Sequence, residues 1–386
     1  MIYLDSAATQ PVSLNGLTKY NLYVRKYEYN PSSVYEGGKI SRDALDQGRN
    51  KIAKKIGCHA EDIIFTSGGT EGNNIVIQGF FNQIPDNEEG VLITTNIEHP
   101  SVLNTALHIE KTRKNIHVYY LPVNQLGQID FVDLINTLRT EIDVDKIKAK
   151  NILVSIQWAN NEIGTCQNIP LIGSICKEYG VFLHSDAVQF IPHHLIKDEI
   201  YLVDAFTVSG HKFGAVRGTG FIYVNEELRN RLSPIFFGGE QEFKLRPGTE
   251  NVPGWLMMSD LVEELDEEFF EPMDYAFENL EEALIENNIN YRINGVLGVP
   301  ILSITFSGVL ASNLIAILSQ KGIYVSAGSA CHSYSPEPSH VLKAIGLSDD
   351  EASCTIRICW NKNIKYDEFE KFIDELIFSI KLLKEE

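Results

Sequence analysis

No stretch of this chain stays apolar for the ~20 residues that a bilayer-spanning helix needs. The six cysteines, Cys58, Cys166, Cys176, Cys331, Cys354 and Cys359, include no Cys-x-x-Cys pair. The first absence argues against a helical membrane protein. The second removes zinc-type spacing and a disulfide scaffold, so no metal site is expected and a reducing, cytoplasmic compartment is. The opening "MIYLDSAATQP" has neither the basic nor the apolar region of a secretory signal. Basic residues are scarce: 33 Lys and Arg stand against 52 Asp and Glu, a formal net charge of −19. A broad phosphate-backbone footprint is therefore not expected, and any nucleic acid should be met through partner proteins. There is also no G-x-G-x-x-G and no loop ending in Gly-Lys-Ser/Thr, which disfavours dinucleotides and nucleoside triphosphates.

Against these absences stands ample core material, 44% hydrophobic residues in 386. Short apolar runs alternate with amphipathic stretches. "DIIFT" (62–66), "GVLITT" (90–95), "IHVYYLPV" (116–123), "NILVSI" (151–156), "GVFLHSD" (180–186), "DAFTVSG" (204–210) and "GTGFIYV" (218–224) read as strands. Helical patterns such as 40–56 and 169–179 lie between most of them. This alternation predicts an α/β fold with a mostly parallel sheet, helices on both faces and ligands beyond the carboxyl ends of the strands. Past residue 252 a charged helical stretch, strand-like runs and a closing amphipathic helix predict a second, smaller α+β domain.

Several motifs sit at the ends of those strands. "FTSGGTEGNN" (65–74) is a strand-to-helix turn whose glycines and helix start suit an anion, although ordinary turns look alike. "HSDAVQ" (184–189) and "TVSGHKFG" (207–214) bring Asp186 and Lys212 to the same rim. A lysine buried there is costly unless it is paired or used covalently. A Schiff-base lysine, a carboxylate and a phosphate cup together describe pyridoxal phosphate, with the carboxylate keeping the pyridine nitrogen protonated. The plainer alternatives are a solvated loop lysine and a helix-capping aspartate. His99, in "TNIEHPSVL", suits ring stacking or proton movement, or else a bond to a loop carbonyl. Asn160 and Asn161 in "WANNEIGT" could bond a ring substituent or substrate, and Thr249, in a Gly-rich loop, could donate to a phosphate. Arg357 in "CTIRICW" could clamp a carboxylate or form a structural ion pair. Cys331 lies in "VSAGSACHSYSPEP", a run of small and polar residues that reads as an exposed loop rather than a core position.

Taken in order and spacing, "YLDSAAT", "FTSGGTEGNN", "EHPSVL", "NNEIGT", "HSDAVQ", "SGHKFG", "GTENVP" and "GSACHS…EPSHVL" resemble the cysteine desulfurases. These are class V aminotransferase-like, fold-type I pyridoxal phosphate enzymes, and the likeness is to the nitrogen-fixation and iron–sulfur-cluster branch. It spans essentially the whole chain. It implies a seven-stranded sheet in a large domain (15–252), with 1–14 and 253–386 forming the small domain that carries the cysteine loop. It further implies that Lys212 holds pyridoxal 5'-phosphate, that Asp186 meets the pyridine nitrogen, and that His99 stacks on the ring. Gln189 and Asn161 would bond near the ring hydroxyl or substrate. Gly69, Thr70, Ser209 and His211 would hold the phosphate, with Thr249 reaching in from a neighbouring subunit of a homodimer. Arg357 would bind the carboxylate of L-cysteine, and Cys331 would take its sulfur as a persulfide, leaving L-alanine.

The likeness leaves the acceptor open among protein-borne iron–sulfur cluster assembly, tRNA or cofactor thiolation, and DNA phosphorothioation. Two alternatives stand beside it: a related lyase or aminotransferase, such as a selenocysteine lyase, and a non-catalytic sulfur-relay scaffold. Departures from the common pattern cluster at Tyr29 and Tyr35, at Ala215-Val216-Arg217, at Glu240, Phe243, Lys244 and Pro247, at His332 and in the "ICWNKN" ending. None removes a group assigned to the chemistry.

Overall fold

The structure is a computed structural model describing residues 1–143, 147–196, 199–265, 271–328, 338–361 and 364–385. The first part of the chain forms β1 (Ile2–Tyr3), α1 (Leu14–Lys26), α2 (Glu36–Ile56), β2 (Ile63–Thr66), α3 (Gly69–Asn82), β3 (Gly90–Thr95), α4 (Pro100–Thr112) and β4 (Ile116–Leu121). Next come α5 (Phe131–Asp143), β5 (Ile152–Ser155), α6 (Ile169–Tyr179), β6 (Phe182–Asp186), β7 (Ala205–Ser209), β8 (Gly220–Val224), α7 (Glu226–Arg229) and α8 (Val252–Glu263). The last part holds α9 (Glu271–Glu286), β9 (Tyr291–Asn294), β10 (Ile301–Phe306), α10 (Ala311–Gln320), β11 (Ile323–Tyr324), α11 (His340–Ala344), α12 (Asp349–Ser353), β12 (Thr355–Cys359) and α13 (Tyr366–Glu385). No helix among the described residues is long and apolar enough to cross a membrane.

Each of the seven runs read as strands is one, and they build a single sheet in the order β2-β8-β7-β6-β5-β3-β4. Only β8 runs against its neighbours. The other six strands therefore deliver their carboxyl ends to one rim. Both faces are covered, and the two-residue strand period sorts the side chains between them. Phe65, Val91, Val154, Leu183 and Phe206 join the core under α2, α5, α6 and α8. Ile64, Leu92, Leu153, Phe182 and Ala205 point the other way, toward α3 and α4. Glycine ends α2 and α6: Gly57 (φ 78°) and Gly180 (φ 67°) take the left-handed turn that closes the last carbonyls.

Helix α8 packs with the larger sheet. Trp255 stacks on Phe65 with ring centroids 4.9 Å apart, and its Nε1 donates to the Thr66 carbonyl at 3.0 Å. This pins the end of β2 just before the Ser67-Gly68 turn. A separate apolar core lies between the antiparallel sheet β12-β10-β9 and helices α9, α10 and α13. The chain's first residues pair with this part: β1 runs parallel to β11, and Asp5 bridges to Cys359. From there the segment crosses toward the rim of the large sheet.

Candidate active site

Behind that rim lies a cavity of ≈ 250 Å³. Its wall includes Gly69, Thr70, His99, Asn161, Asp186, Gln189, Ser209, His211, Lys212 and Arg357. Ten of the thirteen residues singled out in the sequence are thus brought together. Thr249 is exposed and does not line the cavity. Cys331 lies outside the described residues, as does His332.

The topology explains the convergence. Asp186 ends β6. Ser209 ends β7, and a single 3-10 turn, Gly210–Phe213, then carries His211 and Lys212. The Lys212 ammonium donates to the backbone carbonyls of Ala7 and Ala8, at 2.5 and 3.1 Å, so the N-terminal segment forms part of the wall. Gln189 Nε2 reaches the same segment, donating to Ala7 at 2.9 Å. Asp186 is buried, and two donors hold its carboxylate: the Val188 amide to Oδ1 at 3.0 Å and Asn73 Nδ2 to Oδ2 at 2.7 Å.

Helix α3 opens on Gly68 with no side-chain cap, so its first-turn N–H groups have no intrahelical partner. A Cβ at Gly69 would come within 2.9 Å of Val188 Cγ2, and one at Gly68 within 3.3 Å of Ser209 Oγ. The turn is drawn tight against β7, with Ser209 and His211 beside it. Burial, then the nearby Lys212 and Arg217 charges, push His211 down to about 4. It faces the cavity as a neutral imidazole, with Nδ1 3.1 Å from Thr9 Oγ1.

The two asparagines of "WANNEIGT" separate cleanly. Asn160 serves its own turn: Oδ1 accepts from the amides of Glu162 and Ile163, and Nδ2 donates to the Ile97 carbonyl. Asn161 lines the cavity, and its carbonyl accepts from Arg357 Nη1 at 2.7 Å. Arg357, on β12, also donates from Nη2 to Asp5 at 2.7 Å. The structural ion pair expected of this arginine is therefore present, with Asp5, and the same side chain lines the cavity. Asp5 carried no local signal as its partner, since the two lie 352 positions apart.

His99 is the N-cap of α4, its Nδ1 accepting from the Ser101 amide at 3.1 Å. Burial pushes it below the ordinary imidazole range, with Lys212 adding to the effect and Asp186 opposing it. Beside it, Glu98 is fully buried. Its Oε1 accepts from Thr95 Oγ1 and the Gln157 amide, while Oε2 has no partner among the described residues. Burial raises this carboxyl to about 8. A lone Glu before a His gives no sign of such burial in sequence.

Two of the departures prove to be one feature. Tyr29 and Tyr35 meet edge to face, ring centroids 6.0 Å apart, over Gly37, where any Cβ would strike the Tyr29 ring. Another pair, Phe243 and Lys244, belongs to three consecutive left-handed residues, Glu242, Phe243 and Lys244 (φ 47°, 57° and 68°). Glu242 anchors this turn by accepting from Arg49 and from the Phe65 amide.

A lysine, a buried carboxylate and an uncapped helix start thus surround one cavity at the carboxyl ends of the sheet strands. The sequence matches the Aminotransferase class-V family over residues 2–372. It is 36% identical to "Cysteine desulfurase IscS" of Methanosarcina thermophila, over 92% of this chain and 86% of that protein. The fold superposes on a solved "NIFS-LIKE PROTEIN" with a TM-score of 0.87, 29% identity and 99% of each chain covered. It also superposes on "SspA in complex with cysteine" with a TM-score of 0.77 and 31% identity, covering 93% of this chain and 98% of that one. The chain belongs to the class-V aminotransferase family and, within it, to the cysteine desulfurases.

Proposed function

We propose that this protein converts L-cysteine to L-alanine and holds the released sulfur as a persulfide on Cys331 for a protein acceptor. The observation that carries this reading is the meeting of Lys212, Asp186, His99, the Gly69-Thr70 turn and Arg357 in one cavity. The residues fit pyridoxal 5'-phosphate. Lys212 supplies the amine, Asp186 a buried carboxylate, and the uncapped start of α3 with Ser209 and His211 an anion cup. When bound, this cofactor serves as an electron sink for the substrate Cα.

Arg357 binds the substrate carboxylate, held in place by Asp5 and the Asn161 carbonyl. Lys212 anchors the cofactor and moves the proton at Cα. Asn161 and Gln189 orient the bound molecules, and His99 stacks over them. Cys331, as thiolate, forms a bond to the substrate sulfur while the Cβ–S bond breaks. That electron pair stays on Cβ, which takes up a proton and becomes the methyl group of alanine. An acceptor thiol then attacks the outer sulfur, and Cys331 leaves as thiolate. The related SspA has been solved in complex with cysteine, which supports the substrate.

The working unit in this reading is a cytoplasmic homodimer, Thr249 of the partner subunit completing the phosphate cup. The exposure of Thr249 away from its own cavity agrees with that role. In this reading the chain works as two units, residues 15–252 and a smaller unit of 1–14 and 253–386, although α8 itself packs against the large sheet. The test is alanine formation by cofactor-loaded protein, with L-cysteine set beside other amino acids, L-selenocysteine included. Alanine from L-cysteine supports the reading; transamination of other amino acids with no alanine from cysteine contradicts it.

A further inference from the structure

We propose that Ser101 and Asn73 are positioning residues that fix His99 as its Nε2–H tautomer and tie it to Asp186 in one hydrogen-bonded chain. The direction of every link is forced. Asp186, as a carboxylate, only accepts, so the Asn73 group 2.7 Å from its Oδ2 is the amide nitrogen. That nitrogen has two hydrogens, and the second goes to Ser101 Oγ at 2.9 Å. The serine oxygen therefore accepts from Asn73 and is left with its own proton to give. His99 Nδ1 lies 2.8 Å from it. The same Nδ1 also faces the Ser101 backbone N–H at 3.1 Å, a group that can only donate. Two donors on Nδ1 leave no place there for a proton, so the neutral ring carries its hydrogen on Nε2.

The setting favours this state. Asn73 is wholly enclosed and Ser101 nearly so, and neither is among the residues expected from the sequence to act at the site. Ser101 lies in the first turn of α4 and His99 caps that helix, where the positive end of the dipole disfavours an imidazolium. The ring thus brings an N–H donor, rather than a lone pair, to the cavity wall. The same amide that orients the serine also steadies the Asp186 carboxylate, so one residue sets both groups. The charged and titratable neighbours of His99 are Asp186 at the end of β6, Lys212 after β7, Glu162 after β5, His340 at the start of α11 and the adjacent Glu98.

The inference rests on the function proposed above for the meaning of the tautomer, but its primary readout does not. Nitrogen NMR of the full chain labelled at histidine, with and without pyridoxal phosphate, reports which ring nitrogen of His99 bears the proton and how it titrates. The expected result is a proton on Nε2 in the wild type. In Ser101→Ala a donor to the neutral form is lost, so protonation tightens by roughly twofold to tenfold, the span of one neutral hydrogen bond. Ser101→Thr restores the wild-type titration. The acid limb of kcat/KM for alanine formation moves to higher pH in Ser101→Ala and returns in Ser101→Thr. A wild-type proton on Nδ1, or a Ser101→Ala titration that matches wild type, overturns the proposal. Absence of alanine from the wild type counts against the functional reading alone, because the spectra need no turnover.

Discussion

Arg357 and Asp5 meet at 2.7 Å, joining the β12 guanidinium to the chain segment that leads to Ala7 and Ala8. The pair links the small sheet to the cavity wall, since the same segment receives the hydrogen bonds of Lys212 and Gln189. Breaking it leaves a buried cation with less compensation and lets the guanidinium shift. Asp5→Ala should raise KM for L-cysteine by about tenfold, the worth of one charge-assisted hydrogen bond, with a smaller change in kcat. Asp5→Asn, which keeps an acceptor, should fall between. Steady-state kinetics of the two variants decides the matter: a loss in kcat with KM unmoved would place Asp5 outside substrate binding.

Glu98 gives a pH prediction with a definite sign. Burial lifts its carboxyl from the ordinary 4.5 to about 8 in the folded protein. Between those values the folded state holds a proton that the unfolded state has released. The resulting stability is fully present below the unfolded value and is lost as pH rises through the folded one. Glu98→Gln cannot ionise and so escapes this loss. Thermal melts of wild type should fall more steeply than those of Glu98→Gln as pH rises through this window. Parallel slopes would show that Glu98 is not a neutral acid in the fold.

At residue 244 the chain spends a lysine on a left-handed turn, with φ 68° at an exposed position. An L side chain there costs about 1–2 kcal/mol, whereas glycine has no such penalty. The exposed pair that Lys244 makes with Glu240 offsets little of it. Lys244→Gly should therefore stabilise the protein by about 1 kcal/mol in urea melts. A lower midpoint would mean that the lysine supports the turn in another way.

The large sheet was legible because its strands are short, continuous apolar runs bounded by turns, as parallel strands covered on both faces must be. The site was legible for a related reason. Asp186, Ser209 and Lys212 follow such runs directly, and the strand ends share a rim. What stayed hidden depends on contacts between distant segments. Asp5 with Arg357, Asn73 with Ser101 and Asp186, and the burial of Glu98 have no local pattern. Asn160 and Asn161 are neighbours of one type, and only the backbone of the turn decides which one faces the cavity. Trp255 docking on Phe65 places α8 with the large sheet, although the texture of the sequence changes just before it.

In the proposed reaction Cys331 takes the sulfur of L-cysteine. Cofactor-loaded wild type and Cys331→Ser should be given L-cysteine with excess thiol, and alanine and protein-bound persulfide measured together. Wild type should yield alanine and a persulfide on Cys331. Cys331→Ser should bind cofactor and substrate, with alanine formation lost. Alanine made by Cys331→Ser at the wild-type rate would contradict this role of Cys331.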